Sequence, residues 1–289
     1  MKPLVSVVIP TYNRAHIIVK AIQSVQLQSY VEWEAIVVDD GSDDATSEIV
    51  GRMAEKDSRI RLILQPVNRG AQAARNVGIK LAKGEWVTFL DSDDEWLPDS
   101  LKKRLEKAVT DGVAVVHSGG YIRRHGQKLE PYRIVQPSGR VYPELLAREN
   151  PMFQALMVSK YALEKIGYLD EAVVSFQEWD TSIRLARFYL FASVAEPTFV
   201  YDYRMQDAIS RDDFRAAVGY SYIVRKHLFF ILAYVGPRAL LNHYYFIAFW
   251  YERAGDHGRA RISKLKGLLW LFLFPVQVFS LVARRTYEM

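Results

Sequence analysis

Three stretches decide the fold: VSVVIPTYNR at residues 5–14, AIVVDDGSDD at 35–44 and WVTFLDSDD at 86–94. In each, an apolar run of strand length ends abruptly in a cluster of polar turn residues. Short apolar runs bounded in this way read as buried strands. The sequence between them carries the helical period. Ile17, Ala21, Ile22 and Val25 mark a helix over 16–28, Asp43 or Asp44 can cap a second to about residue 55, and a third covers 70–82. Residues 60–64 and 113–117 add two strands, and Pro98 opens a helix to about 109. Strands joined by helices of this length predict an α/β fold, a mostly parallel central sheet flanked by helices with right-handed crossovers.

Beyond residue 118 the pattern changes. Residues 119–140 loosen into hairpin-like pieces, 153–158 read as a strand, 160–166 as a short helix, and Glu178 leads a helix to about 189. Residues 214–251 are helical and aromatic-rich, broken at Gly236-Pro237, and 253–266 continue after a Gly255–Gly258 turn. The expected division is a ligand-binding and catalytic domain over 1–212 and a helical, basic C-terminal region over 213–289.

In open α/β sheets, ligands bind beyond the carboxyl ends of the strands. The loops at 10–13, 39–42 and 91–94 are therefore expected to face one cleft. Asp91 and Asp93 could together reach a hard divalent cation, which would neutralise a diphosphate and assist its departure. An acidic loop that caps the next helix is the alternative. Asp39 and Asp40 could accept hydrogen bonds from a ribose or a base N–H, or could simply close a turn. Arg75, on the helix after the third strand, could face a phosphate or be an ordinary surface arginine. No Gly-x-Gly-x-x-Gly follows the first strand, and the P-loop, nucleophile-elbow and His-Glu-x-x-His signatures are missing.

Composition narrows the classes further. Half of the 289 residues are hydrophobic, which supports a sizeable core, and there is no cysteine. That excludes disulfides, a thiolate nucleophile and cysteine-ligated metal centres. The start of the chain lacks the features of a secretory signal, which predicts a cytoplasmic protein. The net charge of +5 is uneven: residues 204–289 hold 13 Lys and Arg against 6 Asp and Glu. The core domain is near neutral, which argues against a nucleic-acid partner.

Together the blocks resemble glycosyltransferase family 2 over roughly residues 3–210. The resemblance rests on residues 5–14 and 37–44, on Asn68-Arg69-Gly70 with Ala74-Arg75-Asn76-x-Gly78, and on Gly84-Glu85 through Asp94. It implies a GT-A fold, a nucleotide-diphosphate sugar donor (a UDP-sugar favoured), Mn²⁺ or Mg²⁺, and inversion at the anomeric carbon. Carried over, Pro10, Thr11 and Tyr12 would line the nucleotide pocket, with Asp39 and Asp40 near base and ribose. Asp91 would sit near ribose and metal, and Asp93 would be the main metal ligand. Arg75, Ser92 and Trp179 would complete the substrate-binding set. Gln177-Glu178-Trp179-Asp180 occupies the place of the family's Glu-Asp-x-Asp block, so Glu178 stands where the general base is an Asp, with Asp180 as the second candidate. The late Tyr-Arg-x-His block is matched by Tyr203-Arg204-Met205-Gln206. Arg204 would meet the diphosphate, and the family's His is replaced by Gln206.

Residues 267–283 carry no charge, while Lys264, Lys266, Arg284 and Arg285 flank them. Basic flanks on both sides suit an interfacial or re-entrant segment better than a crossing, with a core helix packed on residues 244–251 as the alternative. The whole predicts a metal-dependent inverting glycosyltransferase (EC 2.4) in polysaccharide or glycoconjugate synthesis. It would act on a saccharide or lipid-linked acceptor, as a cytoplasmic protein held peripherally on the inner membrane face through 264–285. A nucleotidyltransferase and a non-catalytic sugar-nucleotide-binding scaffold are the competing readings.

Overall fold

The computed structural model describes residues 2–124, 128–132, 137–148, 151–202 and 212–273. The chain packs as two compact units. The first, a sheet unit, comprises Met1–Arg140, Pro151–Glu171 and Arg184–Met205; the second, a helical unit, comprises Val141–Asn150, Ala172–Ile183 and Gln206–Met289. The division is interleaved where the sequence suggested a single cut after residue 212. Two segments from the middle of the chain join the C-terminal helices because their apolar side chains pack there.

The sheet unit opens with β1 (Val5–Thr11), α1 (Ile18–Gln26), β2 (Trp33–Asp39), α2 (Thr46–Lys56), β3 (Ile60–Leu64), α3 (Ala71–Leu81) and β4 (Trp86–Phe89). It continues with β5 (Glu95–Trp96), α4 (Ser100–Asp111), β6 (Val115–Ser118), β7 (Gly120–Arg123) and β8 (Leu129–Tyr132). After α5 (Tyr142–Ala147) of the helical unit come β9 (Met157–Ser159) and α6 (Lys160–Lys165), and after α7 (Gln177–Ala186) come β10 (Phe191–Val194) and β11 (Phe199–Asp202). The main sheet has the order β10-β6-β9-β4-β1-β2-β3, all parallel except β9, which runs antiparallel to both neighbours. A smaller sheet has the order β5-β11-β7-β8. The expected mostly parallel sheet is present, and β1 and β2 are buried along their whole length. That burial explains their near-continuous apolar runs.

Two expectations are modified, and two strands are added. The strand read over 153–158 is a short 3₁₀ turn, Phe153–Ala155, followed by the three-residue β9. Neither Asp43 nor Asp44 is the N-cap residue of α2, which is Ala45. Asp44 caps the helix from the position before: it accepts from the backbone N–H of Thr46, the first residue of α2, and also from the N–H of Ala15, which ties the start of α2 to the loop after β1. The strands β10 and β11, of four residues each, are additional to those read from the sequence.

The helical unit is dominated by α8 (Asp213–Tyr234), α9 (Pro237–Arg253) and α10 (His257–Leu273). The break at Gly236-Pro237 lies where the sequence placed it: Gly236 takes φ +100° and Pro237 opens α9. In α10, Ala260, Ser263 and Gly267 are buried at helical spacing, and a Cβ on Gly267 would lie 3.1 Å from Tyr244 of α9. On the same helix Ile262, Leu265, Leu269 and Phe272 are exposed, Phe272 by 82%. The uncharged stretch thus begins as a continuation of α10, and residues 274–289 lie outside the described residues. Among the described residues, no helix is long and apolar enough to cross a membrane.

Candidate active site

Because β4, β1 and β2 are adjacent and parallel, their carboxyl ends deliver three loops to one sheet edge. Thr11 pairs with Asp39, and the Leu90 N–H donates to the carbonyl of Val8. The topology brings the 10–13, 39–42 and 91–94 loops to one edge of the sheet.

The first two loops are tied to each other by local hydrogen bonds. The Asp40 N–H donates to the Thr11 carbonyl (2.8 Å) and the Asn13 N–H to Ser42 Oγ (2.9 Å), while Asn13 Oδ1 accepts from the Asp43 N–H. Asn13 itself has φ +52°, a conformation that Asn tolerates better than most residues. Gly41 has φ +80°, and a Cβ there would lie 3.0 Å from the Val67 backbone, so only glycine fits.

Asp39 and Asp40 are both buried but differently satisfied. Asp40 accepts from Gln65 Nε2 (2.9 Å) and from the backbone N–H groups of Arg69 (3.0 Å) and Gly70 (2.6 Å). It therefore holds the loop between β3 and α3. Burial pushes its carboxyl above the ordinary value, against the pull of those two amides. Asp39 Oδ1 accepts from the Ser42 N–H, while Oδ2 is buried with no hydrogen-bond partner among the described residues. Thr11 Oγ1 and Gln72 Nε2 are likewise buried and unpaired. Such atoms are costly unless something completes them. Pro10 is buried at the end of β1 and Tyr12 is exposed beyond it.

Residues 91–94 close a turn in which the Asp94 N–H donates to the Asp91 carbonyl (3.1 Å). Asp91 Oδ1 accepts from Arg75 Nη2 at 2.5 Å. Arg75 is no surface residue: it is buried on α3 and lies over the Phe153 ring at 4.2 Å. Asp93 is half-buried and Ser92 is buried. Asp94, which the sequence left as one more loop acid, is enclosed and accepts from the Asp202 N–H (3.2 Å). Burial first, then Asp93 and Asp91, holds its carboxyl well above the usual carboxylate range. Among the described residues no three His, Asp or Glu side chains converge as a metal cluster. Asp91 and Asp93 are hard oxygen donors, and two carboxylates completed by phosphate oxygens are a fitting set for Mg²⁺ or Mn²⁺.

Glu178, Trp179 and Asp180 lie in the helical unit, in the first turn of α7. Glu178 is half-buried. Trp179 is wholly enclosed: its indole N–H donates to the Leu145 carbonyl at 2.6 Å, and its ring lies on Tyr220 with centroids 4.6 Å apart. Asp180 is 1% exposed, and its Oδ1 accepts from His227 Nε2 and from Lys226 Nζ, each at 2.8 Å. His227 and Lys226 went unread in the sequence, where nothing links two residues of a helix to an acid 47 positions earlier. The amides of Arg69 and Gly70 were quoted only as part of a family block. Arg204 and Gln206, with Ser210 and Arg211, lie outside the described residues.

Similar folds occur in glycosyltransferase structures. TarS of S. aureus, in a structure in complex with UDP-GlcNAc, superposes with a TM-score of 0.65 at 18% identity, over 90% of each chain. The mannosyltransferase PcManGT of Pyrobaculum calidifontis, in complex with GDP-Man and Mn²⁺, gives 0.62 at 19% identity, over 98% of this chain and 86% of that one. In sequence, UDP-Glc:alpha-D-GlcNAc-diphosphoundecaprenol beta-1,3-glucosyltransferase WfgD of Escherichia coli is 38% identical over 118 residues, 41% of this chain. GalNAc(5)-diNAcBac-PP-undecaprenol beta-1,3-glucosyltransferase of Campylobacter jejuni is 40% identical over 125 residues, 43% of this chain. The matched stretch covers 46% and 40% of those two proteins. The profile of glycosyl transferase family 2 matches residues 6–165. That match takes in more than half of the chain, including all three loops at the sheet edge, and with the GT-A fold it makes this protein a member of glycosyl transferase family 2.

Proposed function

We propose that the protein transfers a sugar, with inversion, from a nucleotide-diphosphate sugar to a hydroxyl of a lipid-linked saccharide or glycan, in the synthesis of a cell-surface polysaccharide. The observation that carries this reading is the set of buried, unpaired polar atoms at the sheet edge, Asp39 Oδ2, Thr11 Oγ1 and Gln72 Nε2. A nucleotide offers the missing partners: base or ribose donors for the Asp39 carboxylate and acceptors for the amide of Gln72. Asp40 serves the same pocket indirectly by holding its wall. UDP is the favoured nucleotide, on the analogy of TarS with UDP-GlcNAc and of WfgD, named for UDP-Glc.

In this reading Asp93 and Asp91 would hold a divalent ion, and Arg75 fixes the orientation of Asp91. The ion, when bound, supplies positive charge that makes the diphosphate a better leaving group. Glu178 removes the proton from the acceptor hydroxyl. The oxygen then forms its bond to the anomeric carbon as the bond from that carbon to the diphosphate breaks, and the nucleoside diphosphate leaves with the electron pair. A half-buried carboxylate is a reasonable base, provided it reaches the hydroxyl within hydrogen-bond distance. A lipid-linked acceptor would be met at the inner face of the cytoplasmic membrane. The exposed row Ile262, Leu265, Leu269 and Phe272, with Lys264 and Lys266 beside it, supports that placement.

The direct test is a thermal-shift series with UDP, UDP-glucose, UDP-GlcNAc and GDP-mannose, each with Mn²⁺ and with EDTA. Ligand at a hundred times its Kd raises stability by about 3 kcal/mol. A Mn²⁺-dependent shift with a UDP-sugar, followed by release of UDP in the presence of a synthetic GlcNAc-diphospholipid, is the expected result. No shift with any nucleotide would end the donor reading, and pyrophosphate release would point to a nucleotidyltransferase. For the membrane, replacing Leu265, Leu269 and Phe272 by serine should release the protein from anionic liposomes without lowering its melting temperature.

A further inference from the structure

The first turn of α7 is fixed by consecutive anchors from α8 and α9. Phe176, which precedes the helix, has φ +56°, a strained conformation for a bulky residue. Its ring meets Tyr220 edge-on at 5.2 Å and lies 6.0 Å from Trp250. Trp179 is clasped between the Leu145 carbonyl and the rings of Tyr220 and His243. The Tyr220 hydroxyl and His243 Nδ1 are 2.9 Å apart, while His243 Nε2 donates to the Leu146 carbonyl at 2.8 Å. Asp180 is gripped by His227 and Lys226. Glu178 stands among these anchors.

Packing alone does not explain the charged one. Aromatic rings already hold Phe176 and Trp179, and a buried ion pair is weak evidence for stability, since apolar replacements are often as stable. What two donors on one carboxylate oxygen add is direction. Backbone held in a sparsely populated conformation persists only where its surroundings over-determine it, and such residues concentrate where geometry matters to mechanism.

We propose that His227, assisted by Lys226, is a positioning residue for the transfer. By holding Asp180 it sets the first turn of α7, and with it the place of the Glu178 carboxylate. The proposal rests on Glu178 being the base, and it gives Asp180 the role of strut and not of alternative base.

The test uses the full chain, with UDP-glucose and a synthetic GlcNAc-diphospholipid as probes, together with amide hydrogen exchange, which needs no turnover. His227→Ala should lower kcat ten- to a hundredfold, as removal of outer supports does at other sites. The KM for UDP-glucose and the Kd for UDP should stay within twofold. Exchange at residues 177–181 should quicken at least tenfold while β1 and β4 keep their protection. His227→Gln, whose amide can still donate to Asp180, should restore most of both. Wild-type exchange in that turn, a wild-type rate per folded molecule, or an equal loss in His227→Gln would each overturn the proposal. Glu178→Gln separates the two ideas. A fully active Glu178→Gln removes the base assignment itself, whereas an inactive one beside an unimpaired His227→Ala leaves the base standing and removes the strut.

Discussion

The acidic loop after β4 and the acidic first turn of α7 both present carboxylates but are held in different ways. Residues 91–94 close a turn through a backbone hydrogen bond at a strand end, with Arg75 of α3 on Asp91 and the Asp202 N–H on Asp94 as partners from elsewhere in the sheet unit. The turn at 177–180 depends on aromatic and charged side chains of α8 and α9, far along the chain from it. Positive φ angles follow the same division. In the sheet-edge loops they fall on Asn13 and Gly41, residues suited to them, whereas before α7 one falls on Phe176. One acidic segment thus combines a backbone turn with two polar partners, and the other rests on aromatic packing and a buried ion pair. Substitutions at the two should fail in different ways.

The largest effect should come from the packed turn. Glu178→Gln is expected to lower kcat by about 10²–10⁴, the usual range for a lost general base, with UDP affinity nearly unchanged. If Asp180→Asn is dead while Glu178→Gln is active, the base belongs to Asp180 and the contrast must be redrawn. At the local turn, Asp93→Ala should cost about 10²–10³ in turnover, as for one lost electrostatic contact, and should also weaken UDP-sugar binding in Mn²⁺. Equal donor affinity with Mn²⁺ and with EDTA would break the metal assignment.

Acid should weaken both units. Burial drives His117 in the sheet unit and His243 in the helical unit from the ordinary value down to about 4. Both are neutral when folded, so their contribution is complete above the unfolded value near 6.5 and is lost as pH falls from there towards 4. By pH 5 each should account for about 2 kcal/mol of lost stability, read as a falling melting temperature. His243→Gln should remove roughly half of that slope; an unchanged slope would show that the two histidines are not its source. The smallest effect should be Gly41→Ala, at about 1–2 kcal/mol, from forcing a Cβ into a left-handed conformation against the Val67 backbone. A melting temperature equal to wild type would mean that the 39–42 loop yields more easily than its hydrogen bonds imply.

Reading Asp39-Asp40 as a unit hid their difference. Both follow a buried strand, yet one oxygen of Asp39 is left unpaired while Asp40 is taken up by the amides of residues 69 and 70. Arg75 looked equally suited to a phosphate and to solvent, and it pairs with Asp91. Trp179, expected among the substrate-binding residues, is enclosed by Leu145, Tyr220 and His243.

The sequence by itself determined the alternation of strands and helices, the three loops at the carboxyl edge and the helix break at Gly236-Pro237. Each depends on a period or a turn chemistry contained within a dozen residues. Only the tertiary structure decided which carboxylate oxygens are paired within the fold and which are not. It also decided that 141–150 and 172–183 pack with the C-terminal helices, and that His227 and Lys226 hold Asp180. A carboxylate's partners are set by what approaches it in space, and separations of 30 to 50 residues leave no period in the sequence to announce them.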